Sequence, residues 1–261
     1  MTATAGLPGW RVIAGSVPGP NHANVGLPNQ DSVKQRALPG GLHVLAVADG
    51  AGSAARASIG SNFAVEAAVD AAVQCFARPP ASPAAWRAAV PTFAVACLQY
   101  FDQQVVRSGG TPADYATTLL AVVVGPPFLA YVCVGDGFLV TQRQPGGSRL
   151  LVPPPAARES ASETVFLTSP GREDDLRHGL LVDTGLCGIA LGTDGVIDGL
   201  LDVTRAPGGR MHHSAPADVD AYLDMFRSPA VDAADLNRKL SSREFAASSG
   251  DDKTLLMAVR K

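Results

Sequence analysis

The apolar runs LHVLAVAD (42–49), TTLLAVVVG (117–125) and PFLAYVCVG (127–135) are continuous rather than alternating. A strand of that texture has no face to give to water, so both of its faces must be covered. Yet TTLLAVVVG, PFLAYVCVG and GFLVTQRQ (137–144) are separated only by tight Gly/Pro and Gly-Asp-Gly turns. Turns this short imply antiparallel pairing and disfavour a doubly wound parallel sheet. Two antiparallel sheets packed face to face, with helices outside each, satisfy both demands. The expected fold is therefore α+β: a four-layer α-β-β-α sandwich, with residues 1–261 forming a single domain.

The remaining segments fit that frame. WRVIAGS (10–16) reads as a further strand, as do ETVFLTS (163–169), GIALG (188–192) and TLLMAVR (254–260). Residues 57–77 are alanine-rich, lack proline and carry a helical apolar rhythm. A second helix is predicted over 82–106, capped by Ser82, with Pro83 in its first turn and Pro91 kinking or splitting it. Segments 218–226 and 232–245 also look helical. Residues 145–163, rich in Pro, Gly, Ser and Arg, read as a surface loop.

Composition excludes several classes of function. The chain is 46% hydrophobic, enough for a large core, and its net charge of −3 comes from interspersed acids and bases. No basic face for nucleic acid or anionic lipid stands out. Residues 1–20 carry a single basic residue and no long apolar core, unlike a signal peptide. Gly125-Pro126-Pro127 cuts the longest apolar region into halves too short to span a bilayer. A soluble, cytoplasmic protein without a nucleic-acid or membrane partner is expected. Cys75, Cys97, Cys133 and Cys187 stand far apart without a CxxC pair, as isolated buried thiols. His212 and His213 are adjacent in a Gly/Arg/Met/Ser stretch, which suits a solvated loop rather than a zinc site.

Aspartate recurs beside the strand ends, in PNQDS (Asp31), VADG (Asp49), VGDG (Asp136), GTDG (Asp194) and SGDDKT (Asp251-Asp252). Each alone suits an ordinary turn, VGDGFLV in particular as a tight hairpin. Together they follow strands that must be buried, and carboxylates gathered at one edge would repel one another unless cations lay between them. Oxygen ligands without histidine or thiolate suit Mg²⁺ or Mn²⁺. A competing explanation is a dinucleotide cradle, since Gly50-Ala51-Gly52-Ser53-Ala54-Ala55 fits G-x-G-x-x-A. In that case an acid about twenty residues on should end a second strand, but Asp70 falls inside the alanine-rich helix. Asp49 would also set negative charge against the pyrophosphate.

The ordered series NQDS, VADGAGSA, ATTLLAV, VGDG, TDGVID and DDKTLLMAV, from about Trp10 to Arg260, resembles the motifs of the metal-dependent protein phosphatases of type 2C. The DGAGSA and DDKTL forms are similar to the bacterial branch. The resemblance implies the same four-layer sandwich. It also implies hydrolysis of phosphoserine or phosphothreonine by direct attack of water activated by two ions, without a phosphoenzyme. Asp49 would bridge two Mg²⁺ or Mn²⁺ ions and the Gly50 carbonyl would bind one of them. Asp194 and Asp251 would complete the first ion's site, Asp31 would act through metal-bound water, and Asp136 with Asp194 would hold a third ion. Asp49, Asp194 and Asp31 would be the catalytic set. The partners implied are a phosphoprotein substrate and an opposing Ser/Thr kinase. A variable flap near the site is implied for about 145–185.

The chain departs from the family pattern in four places. Gln30 stands where many members carry Glu, and Ala51 where eukaryotic members carry a proposed proton-donating His. The third-ion motif is Gly135-Asp136-Gly137 rather than Gly-Asp-Ser. No arginine precedes Asp31 to clamp a phosphate, leaving His22, Asn24 or Arg56 as candidates. These departures keep a second possibility open: a catalytically weak pseudophosphatase that binds phosphoproteins in a kinase signalling module.

Overall fold

The computed structural model describes residues 9–155, 164–205, 211–215 and 217–261. Along the chain, β1 (Trp10–Val17) leads through a single helical turn, α1 (Pro20–Ala23), into β2 (Ser32–Ala37) and β3 (His43–Ala48). Two long helices follow, α2 (Ala57–Cys75) and α3 (Pro83–Ser108). Then come β4 (Leu119–Gly125), β5 (Phe128–Val134), β6 (Phe138–Arg143), β7 (Gly147–Val152), β8 (Arg177–Val182) and β9 (Leu186–Gly192). The short helix α4 (Ile197–Leu200) leads to the hairpin β10 (Asp202–Arg205) and β11 (Met211–Ser214). Helices α5 (Ala217–Met225), α6 (Ala233–Leu240) and α7 (Arg243–Ser248) precede the last strand, β12 (Lys253–Arg260).

Two five-stranded sheets result, in the orders β1-β12-β9-β6-β7 and β2-β3-β4-β5-β8, and every pairing is antiparallel. The continuous apolar runs are explained by three separate cores. Val44, Ala46 and Ala48 of β3 pack with α2 and α3 around Phe76, Trp86, Phe93 and Phe101. The alternate residues of the same strand, Leu45 and Val47, meet Leu139, Ile189 and Leu256 of the facing sheet. Beyond that sheet, Val140, Ala190 and Met257 pack on Leu223, Phe226, Leu236 and Phe245 of the C-terminal helices. Each central strand is thus apolar on both faces, and the four-layer sandwich is the arrangement that buries both.

Helix α3 keeps its N-cap, because the Ser82 hydroxyl accepts from the Ala85 N–H at 3.2 Å. Pro91 does not split it. The proline lies on the exposed face of one uninterrupted helix, where water can take up the carbonyl its missing N–H leaves free. Removing the cap in Ser82→Ala should cost about 1 kcal/mol of stability, read as a lower urea midpoint with an unchanged slope.

Several elements differ from expectation. Within 145–163, residues Gly147–Val152 form strand β7, and the charged stretch after Pro170 contains strand β8. Both are edge strands, half-exposed, so neither shows the unbroken apolar texture of an interior strand. ETVFLTS is not a strand over its described part. Residues 164–166 are irregular and 167–170 form turns, tied down through Leu167 N–H to the Thr117 carbonyl at 2.8 Å. His212 and His213 lie not in a loop but on β11, opposite Thr204 and Val203 of β10. The helix expected over 232–245 breaks after Leu240, because Ser242 caps a new helix by accepting from Phe245 N–H. The flap's PAARESASE portion (155–163) falls almost wholly outside the described residues.

The most consequential difference concerns VGDGFLV. Strand β5 pairs with β4 and β8 while β6 pairs with β7 and β9, so Gly135-Asp136-Gly137 is a crossing between the two sheets and not a hairpin. Gly135 has φ +100°, and a Cβ there would stand 2.5 Å from the Thr118 methyl. That turn therefore requires glycine. No helix among the described residues is long and apolar enough to cross a membrane. All four cysteines are free, with Cys97, Cys133 and Cys187 buried.

Candidate metal centre

Antiparallel register carries the five acidic tips to one end of the sandwich. Ser32 pairs with Ala48, so Asp31, just before β2, lies beside Asp49, just after β3. Leu255 pairs with Gly192, so Asp251, just before β12, lies beside Asp194, which follows β9. Asp136 arrives on the crossing between the sheets. Two of the five precede their strands rather than follow them, as alternating strand direction requires.

Backbone and hydroxyl contacts fix each group. Thr118 donates its N–H to the Asp49 carbonyl at 2.8 Å and accepts the Asp49 N–H on Oγ1 at 3.0 Å. Thr117 Oγ1 donates to the same carbonyl at 2.7 Å. Thr193 Oγ1 donates to Asp31 Oδ2 at 2.8 Å and accepts the Thr254 N–H at 3.1 Å, so it ties β9 and β12 to the head of β2. Thr164 donates to Asp136 Oδ2 at 2.6 Å. Asp194 opens a tight turn that packs on the Asp251-Asp252 loop, where a Cβ on Gly195 would stand 1.9 Å from the Asp252 carbonyl oxygen. Glycine is obligatory there. Gly50 donates its N–H to the Gln30 carbonyl at 3.2 Å, which fixes the turn after Asp49.

The carboxylates of Asp49, Asp136 and Asp194 each place an oxygen within 4.8 Å of the other two. Their protonation reflects that crowding. Burial, then the charges of Asp31, Asp194, Asp251 and Asp136, hold Asp49 well above the usual carboxylate range. Asp194 is pushed up to about 7, first by burial and then by Asp136, Asp251 and Asp31, with the Gly195 N–H opposing. Asp31 is pushed up to about 6 by burial, with hydrogen bonds from Thr254, Thr193 and Asp49 opposing. Three carboxylates cannot all be charged in so small a volume without a compensating cation.

The buried oxygens Asp31 Oδ1, Asp136 Oδ1, Asp194 Oδ1 and Gln30 Oε1 have no hydrogen-bond partner among the described residues. A buried acceptor left without a partner costs on the order of 1–3 kcal/mol. Three of these oxygens belong to the acidic tips, and acceptors left open there suit ions and their water. The donor set is oxygen only, which suits a hard divalent cation such as Mg²⁺ or Mn²⁺. The residues present therefore fit the group.

A second set adjoins the first. Asp251 shares in raising both Asp49 and Asp194, and its carboxylate also lies within 4.8 Å of a ring nitrogen of His22 and of the Asp252 carboxylate. Asp252 is almost fully buried and accepts from Gly19 N–H at 2.7 Å and Gln30 N–H at 2.6 Å. His22 Nδ1 lies 2.9 Å from Asp252 Oδ2. Lys253, also buried, donates to the Ser249 and Asp251 carbonyls at 2.7 and 2.8 Å.

The three candidates for a phosphate clamp separate. His22 stands at the site. Asn24 is exposed at the end of α1. Arg56, at the start of α2, is turned toward the Gly109 carbonyl at 3.2 Å and packs over the Tyr115 ring, to whose hydroxyl it also donates. Sequence reasoning missed Thr117, Thr118 and Thr193, and it named Asp252 beside Asp251 without giving it a role. The signal for the threonines was hydroxyls directly before an apolar run in ATTLLAV and directly before an acidic tip in GTDG.

The profile of the family described as Protein phosphatase 2C matches residues 18–240. No curated protein matches the chain. Among solved structures, the serine/threonine phosphatase of S. agalactiae is similar in fold, with a TM-score of 0.63 at 15% identity over 97% of this chain and 100% of that one. Stp1, a serine/threonine phosphatase from Staphylococcus aureus, gives 0.59 at 13% identity over 100% and 98%. PppA of Pseudomonas aeruginosa, described as a key regulatory component of T6SS, gives 0.60 at 17% identity over 97% and 98%.

Proposed function

The chain belongs to the protein phosphatase 2C family, and on that premise we propose that it is a metal-dependent phosphatase of phosphoserine and phosphothreonine in proteins. The observation that carries this is the cluster of carboxylates at the acidic tips, where one oxygen each of Asp31, Asp136 and Asp194 is buried without a hydrogen-bond partner among the described residues. Asp49 would lie between two ions, with the Gly50 carbonyl on one of them. Asp194 and Asp251 would complete the first ion's shell, Asp136 with Asp194 would take a third, and Asp31 would act through water. Bound there, such ions supply water of lowered pKa and offset charge on the phosphoryl oxygens.

The chain's own residues do the rest. Thr117 and Thr118 hold the Asp49 backbone on both sides, so its carboxylate is placed by the buried segment that leads into strand β4. Thr193 holds one oxygen of Asp31 and leaves the other, Oδ1, without a partner among the described residues. The same negative cluster disfavours a dinucleotide at Gly50–Ala55, where a pyrophosphate would meet it directly. The substrate would be a phosphoprotein, and a Ser/Thr kinase would act in opposition.

The test is turnover of p-nitrophenyl phosphate and of a phosphothreonine peptide with Mn²⁺ present. Both should be hydrolysed, and EDTA should abolish both activities. Tight binding of the phosphopeptide with no hydrolysis of either compound would support a pseudophosphatase instead, in line with Gln30 and Ala51 replacing family residues.

A further inference from the structure

His22 is built into the centre in a way that loop packing does not require. Its partner Asp252 is 1% exposed and receives three donors: Gly19 N–H, Gln30 N–H and His22 Nδ1. Two backbone amides fix the carboxylate, and the carboxylate fixes the imidazole. The other ring nitrogen, Nε2, has no partner among the described residues. It lies 3.9 Å from where a Cβ on Gly52 would stand, and the unpartnered Gln30 Oε1 lies 4.0 Å from the same point. Apart from Gly52 and its two chain neighbours, no atom of the described residues comes nearer to that point. Both polar atoms thus stand at ordinary contact distance from the exposed Gly52, in the loop that follows Asp49.

We propose that His22, oriented by Asp252, is a catalytic residue that gives its Nε2 proton to the departing serine or threonine oxygen. The inference rests on the phosphatase reading above. In the step, an oxygen of water forms the new bond to phosphorus. The bond from phosphorus to the side-chain oxygen breaks, and its electron pair stays on that oxygen. The Nε2 proton moves onto it, giving the alcohol. The proton lost by the water passes to solvent, from which the imidazole is recharged. The imidazole as an ion ligand is less suited to a centre whose other donors are all oxygen.

The experiment compares kcat/KM of the Mn²⁺-loaded wild type and His22→Ala on a phosphothreonine peptide and on p-nitrophenyl phosphate, with Mn²⁺ affinity measured by calorimetry. Threonine alkoxide is a far poorer leaving group than nitrophenolate and depends on protonation. The variant should lose about 10²-fold or more on the peptide and at least about tenfold less on the aryl ester, with Mn²⁺ affinity retained. Asp252→Asn should shift the same ratio in the same direction, whereas a purely structural lesion would lower both substrates alike. If that variant does not fold, His22→Ala decides alone. Equal losses on both substrates, no loss on either, or weakened Mn²⁺ binding would overturn the proposal. A wild type inactive on both compounds would overturn the phosphatase reading itself, a result distinct from these.

Discussion

Asp49→Asn removes turnover, with kcat falling by on the order of 10³-fold, while the thermal midpoint of the metal-free protein at neutral pH rises. Activity falls because Asp49 is the group on which Asp31, Asp136, Asp194 and Asp251 all converge electrostatically. An amide there supplies one neutral oxygen in place of a charge shared between ions. Stability rises because the same charge is buried among like charges, held well above the usual carboxylate range, and costs free energy whenever no cation is present. The opposite signs of the two effects mark a functional group, since function is kept there at the expense of stability. A variant with full activity, or one whose metal-free midpoint falls, would contradict this assignment. Activity assays and thermal melts in EDTA check both parts.

The metal-free protein should lose stability as pH rises from about 4 to about 7. In the folded state Asp31 keeps its proton to about 6 and Asp194 to about 7, while both titrate at 3.8 when unfolded. Between those limits the folded chain binds more protons than the unfolded one, so stability present at low pH drains away on the alkaline side. For Asp31 alone the change is on the order of 3 kcal/mol. Excess Mn²⁺ should reverse the trend, because an ion bound only by the folded state stabilises it by mass action and binds ionised carboxylates best. The Mn²⁺-induced rise in midpoint should therefore be larger at pH 7.5 than at pH 5. Asp194→Asn should flatten the metal-free dependence. A metal-free midpoint that climbs steadily across this window, unchanged in Asp194→Asn, would count against the cluster's electrostatics.

How much of this was legible in sequence depended on burial. Interior strands β3, β4, β5, β9 and β12 announce themselves, because a strand covered on both faces must be apolar at every position. Strands β2, β7 and β8 lie at sheet edges, half-exposed and mixed in composition, so the same criterion passes over them. The acidic tips were visible because an aspartate directly beside a buried strand is costly unless something compensates for it. Asp136 was ambiguous in sequence, since a Gly-Asp-Gly hairpin and a Gly-Asp-Gly crossing look alike in one dimension. Only the pairing of β5 and β6 with different neighbours separates them. The His22–Asp252 contact joins residues 230 positions apart, and no local pattern encodes it. Arg56 looked available because its position near the glycine-rich turn was known and its attraction to Tyr115 was not.

The central claim is that Asp49, Asp136, Asp194 and Asp251 meet in order to share divalent cations. Anomalous diffraction from crystals grown with Mn²⁺ tests it most directly. Strong manganese peaks should lie between the Asp49 and Asp194 carboxylates, with Asp251 on one ion and Asp136 on another. Crystals that diffract well, hold manganese elsewhere on the surface and show no peak among these four side chains would contradict it.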